Sequence, residues 1–272
     1  MSYRSHIRPN FLLAYPIMLS MLGQVMTGVA DSVMIGWTGT TPLAASSFAN
    51  IFFSIPLFFG IGVSYAITPL VAQAEGASDA GKIISTLKNG SLINIVTGFI
   101  LVGLIFSIEP FMHFMGQPEE VVTLGIPYLN IIAISIIPAM IFQTYRQFAE
   151  GLQRTRMAMI IVVGSNLLNI ALNYVLIFGK YGFPLLGLNG AGWATLIARV
   201  VMAASMMLYI YYGRKFQAYK SGFSIGNYSR VLISKMLHIG LPAGSQFIFE
   251  AGAFGFSAIM MGWLGTTTLA AY

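Results

Sequence analysis

The sequence MIGWTGTTPLAA at residues 34–45 returns as MMGWLGTTTLAA at residues 260–271. Nine of the twelve aligned positions are identical, including the tryptophan and the glycines on either side of it. At the same offset Pro16 falls on Pro242, in the apolar run that precedes each copy. Chance similarity between two apolar segments does not account for Trp and Gly matched at fixed spacing. The pattern therefore indicates a duplicated scaffold.

Each copy of this scaffold carries an acidic residue at a different depth. Asp31 precedes the first motif, and the second copy has Ser257 at that position. Glu250 precedes the second motif, and the first copy has Gln24 there. Acids inside the apolar segments of a duplicated membrane scaffold are typical of transporters.

The composition is that of a membrane protein. Of the 272 residues, 57% are hydrophobic and 8% are charged, whereas soluble domains are about 25% charged. These values exclude an ordinary soluble protein and leave a polytopic membrane protein. The net charge of +6 does not indicate nucleic-acid binding, because the basic residues are spread over short loops. The chain has no cysteine, which excludes disulfides and thiolate chemistry.

Seven segments are long and apolar enough to cross the hydrocarbon core, which takes about 20 residues. The first is too long for a signal-peptide core, so we expect it to be retained. Several spans contain proline, which membrane helices tolerate where neighbouring groups satisfy the freed carbonyls. The predicted fold is all-α and polytopic, with spans at residues 11–36, 45–72, 87–108, 122–146, 157–178, 188–212 and 236–263.

The distribution of basic residues predicts the orientation. The N-terminus and the loops after spans two, four and six hold twelve Lys and Arg residues, whereas the loops after the other spans hold only Lys180. Cytoplasmic loops are enriched in basic residues, so the N-terminus is predicted to be cytoplasmic. The remaining basic residue, Arg199, lies inside span six.

The chain is expected to divide into two lobes. Residues 1–215 form a six-helix lobe, residues 216–235 a cytoplasmic linker, and residues 236–272 the first helix of a second lobe. Because six is an even number, both lobes enter the membrane in the same orientation, as in a parallel repeat. We expect twelve helices in the full-length protein, of which this chain is a truncated form that does not transport alone.

Four polar residues are predicted to share one layer of the first lobe. Asp31 lies about five residues, or roughly 8 Å, from the outer end of span one. Asn169 and Asn173 are i,i+4 neighbours in span five, and Thr195 lies at similar depth in span six. These oxygen ligands suit a proton-carrying carboxylate or a hard cation such as Na⁺. The alternative is a structural acid bonded to neighbouring amides and hydroxyls.

Glu250 is the second candidate for ion coupling. We expect aromatic neighbours to bury its carboxyl group and favour the neutral form. Such rings also suit contact with an organic cation. In the alternative, Glu250 only pairs with Arg199 or with another helix. The neighbouring rings in the sequence are Phe247, Phe249, Phe254 and Phe256.

The remaining candidates carry structural or lining roles. Arg199 is expected to pair with a carboxylate or with helix carbonyls. Arg146 and Glu150 are an i,i+4 pair, expected to be a helix-end ion pair or a gate element. No span has a catalytic constellation, so we expect no enzyme, and no metal beyond a Na⁺ at the coupling site. Candidates for lining a substrate cavity are Gln24, Gln143, Phe247 and Phe254.

In combination, these motifs resemble the multidrug and toxic compound extrusion (MATE) family over essentially the whole chain. The similarity rests on the helix with Asp31 and its GW-x-GTT-x-LAA motif. Four further segments carry it: QFAEGL at residues 147–152, Asn169…Asn173, GAGWAT at residues 190–195, and Pro242…Glu250.

The resemblance implies two six-helix lobes around a central cavity, and export of organic cations in exchange for inward Na⁺ or H⁺. It implies that Glu250 corresponds to the cation-binding glutamate of the NorM-type branch, and that Asp31, Asn169, Asn173 and Thr195 form the N-lobe site. The DinF-type branch tends to carry an acid on helix five, where this chain has Asn173, which favours the NorM-type branch.

We therefore expect a monomeric antiporter of the bacterial inner membrane that exports cationic, amphipathic drugs. Its partners are small organic cations and the lipid bilayer, with Na⁺ or H⁺ as coupling ion and no other cofactor. A flippase of lipid-linked precursors, from the same superfamily, is the nearest alternative. It would be favoured by many basic residues in the cavity, and only Arg199 is a candidate. A non-transporting membrane scaffold is the alternative from another class.

Overall fold

The computed structural model describes the backbone of residues 4–224 and 226–263, and side chains from residue 15 to 250 except those of Gln24 and Ile225. Short 3₁₀ segments follow two of the helices, at Glu109–Phe114 and Arg214–Phe223. The α-helices are Arg4–Gly36 (α1), Thr40–Ser64 (α2), Ile67–Gly76 (α3), Ala80–Ile108 (α4), Glu119–Ile134 (α5), Ile136–Gly151 (α6), Arg156–Phe178 (α7), Leu188–Tyr212 (α8) and Arg230–Trp263 (α9).

The all-α fold is confirmed, and six helical segments among the described residues are long and apolar enough to cross a membrane. Long apolar segments at Tyr15–Gly36, Thr40–Gly76, Ala80–Phe114, Glu119–Gly151, Arg156–Phe178 and Leu188–Tyr212 correspond to the first six predicted spans. The seventh predicted span falls within α9, whose side chains are described only as far as Glu250. Many large apolar side chains on the helices are exposed, as expected of a surface that faces lipid.

Two of the spans are broken helices, and proline explains both breaks. Span two changes from α2 to α3 at Tyr65 and Ala66, and span four changes from α5 to α6 at Ser135. A proline ring clashes with the carbonyl four residues earlier and removes one hydrogen bond. Pro69 acts in this way on the carbonyl of Tyr65, and Pro138 acts on that of Ile134. Each break therefore lies one turn before its proline.

The bundle packs around two apolar cores, one towards each end. We use the predicted orientation to name them. The outer layer surrounds the core at the end with the α1–α2 and α7–α8 turns, and it includes Ile35, Phe53 and Ile177. The inner layer surrounds the core at the other end, and it includes Leu70, Phe148 and Met206.

Helix α9 packs on α2 through glycines. A Cβ atom added to Gly62 would lie 2.5 Å from the Cα atom of Gly244, and one added to Gly240 would lie 2.6 Å from the carbonyl oxygen of Val63. Only glycine at these positions lets the two backbones approach so closely. The edge contact between Tyr65 and Phe247, with ring centroids 5.6 Å apart, extends the same interface.

The second 3₁₀ segment, Arg214–Phe223, covers the inner end of the lobe, and we call it the linker segment. The ring of Phe216 is fully buried, and that of Phe223 stacks on Tyr145 with centroids 5.3 Å apart. The hydroxyl of Tyr219 donates a hydrogen bond to Glu75 at 3.2 Å. The part of the predicted linker at residues 216–223 is therefore packed onto the first lobe. The division into lobes stays a prediction.

Candidate functional site

Three neighbouring helices of the outer layer bring four of the predicted polar residues together. Asn173 on α7 donates from Nδ2 to the carboxylate of Asp31 on α1. The same Nδ2 lies 3.3 Å from Oδ1 of Asn169, one helical turn away. Nδ2 of Asn169 lies 3.4 Å from the hydroxyl oxygen of Thr195 on α8. The structure thus joins Asp31, Asn173, Asn169 and Thr195 in one chain of contacts, which we call the acid cluster.

The acid cluster has an unusual feature: one of its buried hydrogen-bond acceptors has no donor among the described residues. The side chains of Asn169 and Asn173 are 2% and 0% exposed. Oδ1 of Asn173 is buried and makes no hydrogen bond within the described residues. Buried polar atoms are nearly always paired, so an unpaired acceptor beside a carboxylate marks a place where a further partner belongs.

The acid cluster therefore presents the oxygen atoms that a small cation or a proton requires. The carboxylate of Asp31, the free amide oxygen of Asn173 and the hydroxyl of Thr195 are hard oxygen ligands, which suit Na⁺. In the alternative, Asp31 itself carries a proton. Either species would neutralise a charge that is costly at this depth of a membrane.

Arg199 lies immediately inward of the acid cluster. It is four residues after Thr195 on α8, so both side chains project from the same helix face. Its Nη1 donates to the hydroxyl oxygen of Ser135 at 2.7 Å, and its guanidinium carbon lies 4.9 Å from the ring centroid of Phe53. Arg199 and Asp31 are close enough to interact electrostatically. The partners of Arg199 are thus a hydroxyl group and a ring, where the sequence predicted a carboxylate or helix carbonyls.

An open cavity lies outward of the acid cluster. It has a volume of about 510 Å³ and lies between the α1–α2 turn and the α7–α8 loop, where Trp37, Phe178 and Leu185 line it. Ile177 and Leu188 also line this cavity, and both are buried. Ile177 lies one turn outward of Asn173 on α7. Buried apolar side chains therefore separate the cavity from the acid cluster.

The predicted ion pair lies in the inner layer. Nε of Arg146 donates to Oε1 of Glu150 at 2.8 Å, and the two side chains are 6% and 13% exposed. One residue further along α6, Gln147 accepts a hydrogen bond from the hydroxyl of Thr68 on α3. The ion pair therefore belongs to a packed junction between helices, away from the acid cluster.

Glu250 does not meet the acid cluster. Its carboxyl group is exposed in the described part of the chain, so the predicted burial among aromatic rings is not seen there. Phe247 is half-buried against Tyr65. The side chains of Phe254, Phe256 and Gln24 lie outside the described ones. Glu250 and the acid cluster are separate features, and a role for Glu250 stays a prediction.

Gln143 is buried inside the lobe and does not line an open surface. It is 4% exposed, and its Oε1 is buried without a hydrogen-bond partner among the described residues. No group of three or more His, Asp or Glu side chains suited to a metal ion occurs in the part of the chain that the structure describes.

Sequence reasoning missed the partners of Arg199. Ser135 carries a weak signal, because it lies three residues before Pro138, where a helix break is expected. Phe53 is one of 20 phenylalanines and carries no such signal. Only the crossing of α2, α5 and α8 brings these groups together.

Comparison with known proteins finds the same architecture. A family model described as MatE matches residues 16–175. A solved structure described as MATE in the straight conformation superposes with a TM-score of 0.84 at 22% identity, covering 96% of this chain and 58% of that one. An outward-facing multidrug resistance MATE family transporter of the MOP superfamily gives a TM-score of 0.78 at 21% identity, over 92% of this chain and 55% of that one.

Sequence relatives cover the chain from end to end. A probable multidrug resistance protein NorM from Synechocystis sp. is 33% identical over 269 residues, which are 99% of this chain and 58% of the relative. The multidrug resistance protein NorM from Photobacterium profundum is 28% identical over 273 residues, which are 100% of this chain and 59% of the relative. The chain thus spans about 58% of the length of the curated relatives it matches.

Proposed function

Because this chain belongs to the MatE family of membrane transporters, we propose that it forms the ion-coupling part of an antiporter that exports organic cations. The relatives' names describe multidrug resistance proteins, which supports a drug-like substrate. The proposed driving force is the inward movement of Na⁺ or H⁺ across the bacterial inner membrane.

The acid cluster is the observation that carries this proposal. A carboxylate inside a membrane bundle that is hydrogen-bonded to one amide, at the end of a chain of two amides and a hydroxyl, is expensive, and its retention favours a functional role. Oδ1 of Asn173 is buried and has no partner among the residues that the structure describes, which supports a site that takes up a further group during the cycle.

The proposed mechanism uses the neutralisation of Asp31. Binding of Na⁺ or H⁺ at the carboxylate removes the charge that accepts the hydrogen bond from Asn173. That hydrogen bond joins α1 to α7, so its weakening alters how the two helices pack. We propose that this change shifts the lobes between inward-facing and outward-facing states, and that the organic cation leaves when the carboxylate is occupied. Glu250 is proposed to act in the same way on the second lobe.

The test is efflux of a fluorescent organic cation from proteoliposomes that contain the full-length protein. The wild type is compared with Asp31→Asn under an imposed Na⁺ gradient and, separately, under a pH gradient. We expect one gradient to drive dye movement in the wild type. Asp31→Asn should reduce the driven rate by at least about a hundredfold, because the substituted amide carries no charge to neutralise. The gradient that drives dye movement identifies the coupling ion.

Two other outcomes would change the proposal. If Asp31→Asn transports as well as the wild type, Asp31 is structural and ion coupling belongs to Glu250 or another acid. If neither gradient moves any organic cation, drug export is wrong. A flippase of lipid-linked precursors then becomes the better hypothesis, and it is tested with a fluorescent lipid in the same vesicles.

A further inference from the structure

Arg199 is a half-buried cation inside a membrane span, and the acid cluster alone does not explain its purpose. A guanidinium group is costly at this depth of a bilayer, so a purely apolar side chain would suit the position better. Arg199 lies one turn inward of Thr195 on the same face of α8. From the outer end, a cation would thus meet Asp31 and its amides first and Arg199 next.

The contacts of Arg199 fix its position without neutralising its charge. Ser135 is fully buried at the break between α5 and α6. Its hydroxyl donates to the carbonyl of Ile132 and so accepts the guanidinium hydrogen bond with its free lone pair. Phe53 supplies the face of a ring. Among the described residues, Arg146 and Glu150 form the ion pair found within 4.0 Å, and no carboxylate contacts Arg199.

We propose that Arg199 is a positioning residue for the coupling ion, acting as a fixed positive charge at the inner wall of the acid cluster. It lowers the affinity of the cluster for a cation, so that the ion is released during the cycle. It also opposes leakage of that ion through the helix bundle past Asp31, so that the ion crosses the membrane only through the change of state that exchanges it for substrate. This inference rests on the proposed function, and it assigns to Arg199 a role that no residue of the acid cluster has.

The expected size of the effect follows from electrostatics. A unit charge about 12 Å from a bound cation, at an effective dielectric constant of about 20, changes the affinity of that cation about tenfold. We therefore expect Arg199→Gln in the full-length protein to lower the half-maximal concentration of the coupling cation about tenfold. Uptake of the ion without organic substrate should rise in the same variant, because the positive inner wall is gone.

Arg199→Lys is the matched control, because it keeps the charge and loses the planar guanidinium. It should stay within about threefold of the wild type in half-maximal cation concentration. A structural role predicts a different pattern. Both variants would then lose maximal rate or protein yield, and the cation dependence of the remaining activity would not change. That pattern would overturn the proposal.

A second variant keeps the test independent of folding defects in Arg199→Gln. Ser135→Asp places a carboxylate beside the intact guanidinium and cancels its charge by direct pairing. It should lower the half-maximal cation concentration as Arg199→Gln does. If Ser135→Asp and Arg199→Gln both match the wild type, Arg199 does not act on the ion.

The proposed function and this inference fail in different ways. If the wild type shows no exchange with Na⁺ or H⁺, the antiport proposal fails and the role of Arg199 fails with it. If the wild type couples normally and the neutralised variants keep its cation dependence and its low uptake without substrate, only the role of Arg199 is wrong.

Discussion

The charged side chains of the inner layer of this bundle form an ion pair with each other, and those of the outer layer do not. In the inner layer two pairs of polar side chains satisfy each other, Arg146 with Glu150 and Asn94 with Thr144 at 2.8 Å, whereas Oε1 of the neighbouring Gln143 has no partner among the described residues. In the outer layer Asp31 and Arg199 have opposite charges and make no direct ion pair, and within the described part of the chain no donor reaches the amide oxygen of Asn173. Paired groups are what a stable core requires, and unpaired ones cost stability.

This difference separates structural polar groups from functional ones. A group that only supports the fold gains from being satisfied at all times. A coupling site has to bind and release its ion, so it needs acceptors that are free in one state of the cycle. The inner layer is therefore expected to respond to substitution with a loss of stability, and the outer layer with a change in ion dependence.

The largest expected loss of stability comes from breaking the inner ion pair. Arg146→Met leaves the carboxylate of Glu150 without its partner at a site where it is 13% exposed. Loss of one partner of a buried pair costs about 3–5 kcal/mol, and we expect about 3 kcal/mol here because Glu150 keeps some exposure. For a chain of this size that lowers the melting temperature by about 6–12 °C, measured in detergent by the fraction that remains monodisperse after heating.

The double variant Arg146→Met/Glu150→Leu is the control, because it removes both charges. Its melting temperature should be closer to that of the wild type than the melting temperatures of Arg146→Met and of Glu150→Leu, the two single variants. Cation dependence of transport should be unchanged in all three. A variant that keeps its melting temperature but alters the cation dependence would contradict this and would make the pair a gate element.

A pair of asparagines in the two layers tests the comparison directly. Asn94→Ala removes the buried hydrogen bond to Thr144 and should cost about 1–2 kcal/mol of stability. Its half-maximal cation concentration should equal that of the wild type. Asn173→Ala removes the hydrogen bond to Asp31 and the free amide oxygen, so it should raise the half-maximal cation concentration about tenfold. Both variants are measured in the melting and exchange assays, and equal responses in both assays would refute the distinction.

Helix spacing and depth made the acid cluster predictable. Asn169 and Asn173 lie four residues apart, which fixes them on one helix face. Counting residues from the span ends then places Asp31 and Thr195 at the same depth. The contact between α1 and α7 cannot be read from either helix alone. However, leaving four polar groups without partners inside a membrane bundle is costly, so an arrangement that brings them together is favoured.

The surroundings of Arg199 were not predictable, for a physical reason. Its ring and hydroxyl partners come from α2 and from the break at Ser135, and the rotation of each helix about its axis decides which side chains meet. Apolar helices in a membrane carry little periodic signal from which to obtain that rotation. The sequence therefore suggested a carboxylate or carbonyl partner for Arg199.

The mean composition of the linker segment concealed its packing onto the first lobe. That composition is polar and basic, which predicted only a cytoplasmic linker between the lobes. Three rings, Phe216, Tyr219 and Phe223, are spaced through it and pack on the inner layer. The polar residues between them face away, so the segment is amphipathic even though its overall composition is polar.

The smallest expected effect concerns the contact of the linker segment with Glu75. Burial, and then the negative charge of Glu75, raise the pKa of Tyr219 above its ordinary value of 10.0. A raised pKa means that the folded state favours the neutral phenol, the form that donates the hydrogen bond to Glu75. The contribution of this hydrogen bond to stability is lost as the pH rises above about 10, when the phenol ionises beside a carboxylate.

Tyr219→Phe should therefore cost only about 0.5 kcal/mol at neutral pH, because the contact is exposed to water. The wild type should lose this advantage over the variant in melting experiments above pH 10, whereas Tyr212→Phe, at another exposed tyrosine, should show no such convergence. Transport should be unaffected, since Tyr219 packs on the inner layer, away from the acid cluster. A change in cation dependence would mean that the linker segment takes part in coupling, and the inner layer would then no longer be purely structural.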